Sequence, residues 1–169
     1  MFENEKIREL LVELGEGLSQ QGLKGELFVV GGAALALAFD SRRSTRDVDA
    51  VFAPKSEIYR IAEAMVDDHD ELDSGWLNDA VKGFILGKDN KSVTVLEAPG
   101  IVVRSASAQY LLAMKLHAAR IDRDYDDIEF LAKYLELDTA SKVFEFIDSK
   151  FPDIDLLPKV KYLVEEILD

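Results

Sequence analysis

Apolar positions recur along this chain with two different periods, and the switch from one to the other divides it. Ile7, Leu10, Leu11, Leu14 and Leu18 stand three and four apart with charges between them, which predicts an amphipathic helix over residues 3–20 covering one face of a core. Gln21-Gly22-Leu23-Lys24-Gly25 ends it. Glu26 to Val30 is a short apolar run closed by Gly31-Gly32, the pattern of a buried strand ending in a tight turn. Ala33 to Phe39 are apolar helix formers, and residues 45–52 read as a second strand. Pro54 sits near a helix start, with Ile58, Ile61, Ala62 and Met65 as its stripe to about Val66. Asp67 to Asn78 is acidic and irregular. Val81 to Leu86, Ser92 to Leu96 and Ile101 to Val103 predict three short strands, with turns at 87–91 and 98–100. From Ser105 onward every pattern is helical. Ser105 or Ser107 caps the first helix, Asp122 or Asp124 starts the next, and Asp138 caps a third over 140–149 that Pro152 ends. A last helix runs from about Leu156 to Leu168. The expected fold is α+β (α/β): a small mixed sheet flanked by helices over residues 1–104, then a C-terminal helical part, 105–169, packed on that core.

Candidate chemistry concentrates at two places. The first is the strand, glycine pair, helix and second strand of residues 26–52. Two glycines let a backbone approach a ligand closely, and a helix N-terminus after them suits a phosphate. Side chains alternate along a strand, so Asp47 and Asp49 point to one face while Val48 and Ala50 point to the other. Two neighbouring carboxylates repel unless a positive charge lies between them, and hard oxygen ligands of this kind suit Mg²⁺. A solvent-exposed strand face or a pair of caps is the plainer reading of the same two acids. Trp76 reads as an anchoring aromatic or as a stacking surface for a base. Glu97 ends a strand as an edge charge or as a third carboxylate.

The second place is the helix read over residues 106–121. Gln109, His117 and Arg120 form a narrow polar stripe, whereas Lys115 falls almost opposite, among Leu111, Leu112, Ala118 and Ala119. Two readings stay open: Lys115 snorkels to the rim, or it reaches into a cleft and holds a phosphate as a point charge. In the following helix Asp124 and Asp127 are three apart and can face one place, or they serve only the helix start. His117 reads as a surface residue, and nothing pairs His69 into a site.

Composition narrows the classes. The 169 residues are 48% hydrophobic, enough for a sizeable core, and contain no Cys, so disulfides and thiolate metal sites are excluded. Charges interrupt every apolar stretch, and no signal peptide is visible, so a cytoplasmic protein with no membrane role is expected. A net charge of −13 disfavours a broad nucleic-acid surface but leaves room for a local basic patch, the densest being Arg42, Arg43 and Arg46. An acidic face could also dock a basic protein.

Taken together, these residues resemble the DNA polymerase β-like nucleotidyltransferase superfamily. Gly31-Gly32, the stretch Arg43-Ser44-Thr45-Arg46-Asp47-Val48-Asp49, and Leu111 to Arg120 followed by Arg123-Asp124 and Asp127-Ile128 look like its AbiEii and DUF6036 groups, which include toxin components of toxin–antitoxin systems. The resemblance implies transfer of a nucleoside monophosphate from a triphosphate to tRNA, a protein or a small molecule, with a cognate antitoxin as a further partner. It also implies that Gly31, Gly32 and Arg43 bind the nucleotide and that Asp47 and Asp49 bind Mg²⁺. Lys115 would contact phosphate and Asp127 would act on the acceptor, so that Asp47, Asp49, Lys115 and Asp127 form the catalytic set. A catalytically silent binding or regulatory module on the same fold is the alternative.

Overall fold

The computed structural model describes every residue except Ser41 and Ala119. Ala119, read above on the apolar side of Lys115, lies outside the described residues. The elements follow one another as β1 (Phe2–Glu3), α1 (Asn4–Gln20), β2 (Gly25–Val30), α2 (Gly31–Ala38), β3 (Ser44–Thr45), β4 (Val48–Ala53) and α3 (Lys55–Asp68). Then come β5 (Leu77–Asn78), a 3₁₀ turn over Ala80–Phe84, β6 (Val93–Ala98), β7 (Ile101–Ser105) and the helices α4 (Ala108–Ala118), α5 (Ile121–Tyr134), α6 (Ala140–Lys150) and α7 (Pro158–Leu168). The fold is α+β. The chain forms two compact units, one of residues 1–83 with 90–106, the other of residues 84–89 with 107–169.

The first unit is built on a five-stranded mixed sheet in the order β5-β4-β2-β7-β6. Strands β2 and β4 run antiparallel, β2 and β7 parallel. Alternation decides which face is buried. Leu27, Val29, Val48, Ala50, Ile101 and Val103 are buried on one face, against the apolar stripes of α1 and α3, while Phe28, Asp49, Val51 and Val102 are half-exposed on the other. The helix α2 is apolar all round and correspondingly buried from Ala33 to Leu37. Trp76 is the anchor, 2% exposed, with its indole N–H donating to the Ala62 carbonyl at 2.9 Å.

The second unit packs α4 against α5 and sets α7 on α5 and α6. Ile128, Leu131, Val143, Ile147, Val160 and Val164 form its interior. The segment 84–89 is tied to α4: the Tyr110 hydroxyl donates to the Gly87 carbonyl at 2.7 Å and accepts from the Leu86 amide at 2.8 Å. Asp89 receives the amide and hydroxyl of Ser107, whose oxygen in turn caps the Tyr110 amide.

Two expectations are corrected. Val81 to Leu86 is no strand: it forms the 3₁₀ turn and an irregular stretch, and none of its residues is buried, so its apolar side chains never enter the sheet. Asp138 does not cap α6. Thr139 does, accepting the Lys142 amide at 3.2 Å, while Asp138 pairs with the Lys142 ammonium. His69 Nε2 lies 2.7 Å from Glu13 Oε2.

Candidate functional site

The parallel sheet neighbours and the antiparallel β2–β4 pair bring the glycines to the acids. In that pair Val30 stands opposite Asp49, so the chain leaving β2 at Gly31 turns directly beside the Asp49 carboxylate. Gly31 has φ +63°, a region that only glycine enters freely. A methyl group there would stand 3.3 Å from Asp49 Oδ2. At Gly32 a methyl would stand 3.0 Å from Thr45 Oγ1. The two glycines therefore let the start of α2 close down on Asp49 and Thr45.

The helix begins at Gly31 with no loop between strand and helix, and its N-cap residue, Val30, supplies no side-chain hydrogen bond. The first N–H groups of a helix have no acceptor within it. They and the helix dipole give this end a partial positive character.

Asp49 lies within β4 and is half-exposed, flanked by buried Val48 and Ala50. Asp47 lies two residues earlier, just before the strand, and is exposed. Its carbonyl accepts the Thr45 hydroxyl at 3.0 Å. Arg43 is half-buried, and its amide donates to the Asp40 carbonyl at 3.0 Å. On the far side of β4, Asn78 stands in register with Asp49 across the parallel pairing with β5. A clasp beside it holds that short strand in place. The Tyr59 hydroxyl donates to Asp79 Oδ1, and Lys55 Nζ lies 2.9 Å from Asp79 Oδ2. The Tyr59 hydroxyl first, and then Lys55, keep the Asp79 carboxyl below its ordinary range.

Among the described residues no three His, Cys, Asp or Glu side chains converge on a point that would hold a metal. Magnesium is commonly held by one or two carboxylates, with waters and substrate phosphates completing its shell, and Asp47 and Asp49 are the residues here that could hold it.

Lys115 and Asp127 belong to the second unit. Lys115 Nζ lies 2.7 Å from Asp124 Oδ1 and 2.8 Å from Asp127 Oδ2. Its side chain is 18% exposed, so it neither snorkels into water nor stands alone in an apolar stripe. Burial works against its charge. The Asp127 and Asp124 carboxylates outweigh that penalty and hold its pKa above the ordinary lysine value. Asp124 also accepts the Arg120 amide at 3.0 Å, so it serves the start of α5 and the lysine at once.

Sequence reasoning passed over Thr45 and Asn78. Thr45 stood inside the quoted stretch, and its signal was a hydroxyl two residues before Asp47. Asn78 had no signal, because a two-residue strand has no period to read.

A glycine-opened helix set against Asp49 on a neighbouring strand of a mixed sheet, with Asp47 just before that strand, agrees with the nucleotidyltransferase resemblance of the sequence. The chain belongs to the DUF6036 family, described as nucleotidyltransferases of unknown function, whose family model matches residues 5–161. No curated protein and no solved structure matches it.

Proposed function

We propose that this protein is an Mg²⁺-dependent nucleotidyltransferase that moves a nucleoside monophosphate from a nucleoside triphosphate to an acceptor hydroxyl. The observation that carries the reading is the closeness of Gly31 to Asp49, which sets the N-terminus of α2 beside a carboxylate of the acid pair. In this reading Asp47 and Asp49 hold the metal, and the amides at Gly31 and Gly32 receive the triphosphate, with Arg43 adding charge from the following loop. The ion would neutralise charge developing on the transferred phosphoryl group. An acceptor oxygen bonds to the α-phosphorus, the bond from that phosphorus to the bridging oxygen breaks, and pyrophosphate leaves with those electrons. The acceptor's proton passes to a base; the family resemblance gives that role to Asp127 and a phosphate contact to Lys115, both of the second unit.

The acceptor is an RNA such as tRNA, a protein or a small molecule. The net charge of −13 favours the last two over tRNA, because a polyanion would meet repulsion away from the local Arg42–Arg46 patch. A toxin role with a cognate antitoxin fits the resemblance, and growth arrest on expression, relieved by Asp49→Ala, is the expected sign of it. Incubation with each α-labelled triphosphate, Mg²⁺ and cell extract tests the transfer. Label in one acceptor class, absent with Asp47→Ala and Asp49→Ala, is expected. Tight nucleotide binding with no labelled acceptor would instead support the silent-module reading.

A further inference from the structure

We propose that residues Phe2 to Arg8 are a positioning strap for the candidate site, with Asn4 and Arg8 setting α2 and β1 setting Thr45. The effect on nucleotide rests on the reading above, and the effect on geometry does not.

The strap grips α2 at the end away from Gly31. Asn4 Nδ2 donates to the Ala36 carbonyl at 2.8 Å and to that of Leu37 at 3.4 Å. Arg8 Nη2 donates to the Leu37 carbonyl at 3.3 Å, its Nη1 donates to the Val95 carbonyl on β6, and its Nε donates to Asn4 Oδ1 at 2.9 Å. Asn4 and Arg8 are four apart in α1, so they share a face. Between them they serve the last carbonyls of α2, where a cation also complements the dipole.

The same segment grips the other side of the site. Phe2 is 3% exposed, and β1 pairs with β3 so that Phe2 opposes Thr45 and Glu3 opposes Ser44. Thr45 is the residue against Gly32, and its hydroxyl binds the Asp47 carbonyl. One stretch of seven residues thus fixes both the helix whose amides open at Gly31 and the loop that delivers Asp47.

The helix it grips has eight residues and no side-chain cap at its N-terminal end. A rigid helix of that length is about 12 Å long. A tilt at the gripped end therefore reappears at Gly31 and Gly32. Displacements of about 1 Å at a reacting centre are costly out of proportion to their effect on stability.

The test is the double variant Asn4→Ala with Arg8→Met, which removes the donors and keeps an apolar stem on α1. Two readouts are taken well below its melting transition: hydrogen exchange of the hydrogen-bonded amides at 34–38 and of those at 44–47, and the dissociation constant for Mg²⁺ with a triphosphate. Ile147→Val, in the interior of the second unit, is the control for a general loss of stability. Faster exchange at 34–38 is expected, with nucleotide binding weakened about tenfold, neither effect appearing in the control. Phe2→Ala should speed exchange at 44–47 in the same way. Unchanged exchange at 34–38 in the double variant overturns the strap. Faster exchange with unchanged nucleotide affinity overturns its positioning role. If the wild type binds no triphosphate, the function proposed above fails instead, and the exchange data alone decide the strap.

Discussion

Two pairs of carboxylates in this chain have opposite surroundings. Asp124 and Asp127 sit on the first turns of α5 and close on the ammonium of Lys115, at 2.7 and 2.8 Å. Asp49 sits on the half-exposed face of β4 beside a helix N-terminus opened by two glycines, and Asp47 lies exposed just before the strand. The first pair closes on a lysine of its own unit. The second borders a helix N-terminus opened by glycines, where the proposed function places an ion and a triphosphate. The chemistry of a side chain is therefore less informative than what the backbone places next to it.

The sharpest way to break the contrast is to remove each pair's partner in turn. Lys115→Met takes the ammonium 2.7 Å away from buried Asp124, and removing one partner of such a pair costs about 3 kcal/mol. Urea unfolding should show that loss. Asp47→Ala with Asp49→Ala should abolish any stabilisation by nucleotide in the same experiment.

A smaller effect is expected at Gly31. An alanine there must hold a left-handed backbone, costing about 1–2 kcal/mol, and its methyl would stand 3.3 Å from Asp49 Oδ2. Gly31→Ala should therefore lower the urea midpoint and weaken nucleotide binding together, whereas Gly83→Ala, with open space around it, should do neither.

The pairs should also respond differently to pH. The folded-state pKa of Lys115 is raised above the ordinary lysine value of 10.5. Its stabilising contribution is thus fully present below 10.5 and is lost as pH rises through the folded value. An alkaline urea series should show this fall in the wild type and lack it in Lys115→Met. At the acid end the Glu71 carboxyl is lowered to about 2, first by its hydrogen bond from Lys6. That contribution is present above the unfolded value and lost as pH falls toward 2. It is a surface pair and should fade in high salt, the smallest effect of the series.

Much of this was legible in the sequence. The 3.6-residue period marked α1 and α3, and apolar runs punctuated by glycine and proline marked β2, β4 and the β6–β7 hairpin. The glycine pair and Asp49 were read as neighbours, and the β2–β4 register sets them together. Three things were not legible, each for a physical reason. Strands of two residues, β1, β3 and β5, have no measurable period, and they exist only because a distant segment pairs with them. The run Val81 to Leu86 had strand composition, but composition does not say whether a run reaches a core. The partners of Lys115 were visible as acids facing one place, yet nothing in the spacing of one helix reveals that the next will fold back on it.

The most direct measurement is thermal unfolding with each of the four ribonucleoside triphosphates, in Mg²⁺ or in EDTA, for the wild type and for Asp47→Ala with Asp49→Ala. A ligand that binds only the folded state at about a hundred times its dissociation constant adds about 2.7 kcal/mol. The account predicts a concentration-dependent rise with at least one triphosphate in Mg²⁺, absent in EDTA and absent in the double variant. No rise with any triphosphate, or an equal rise in the variant, would contradict it.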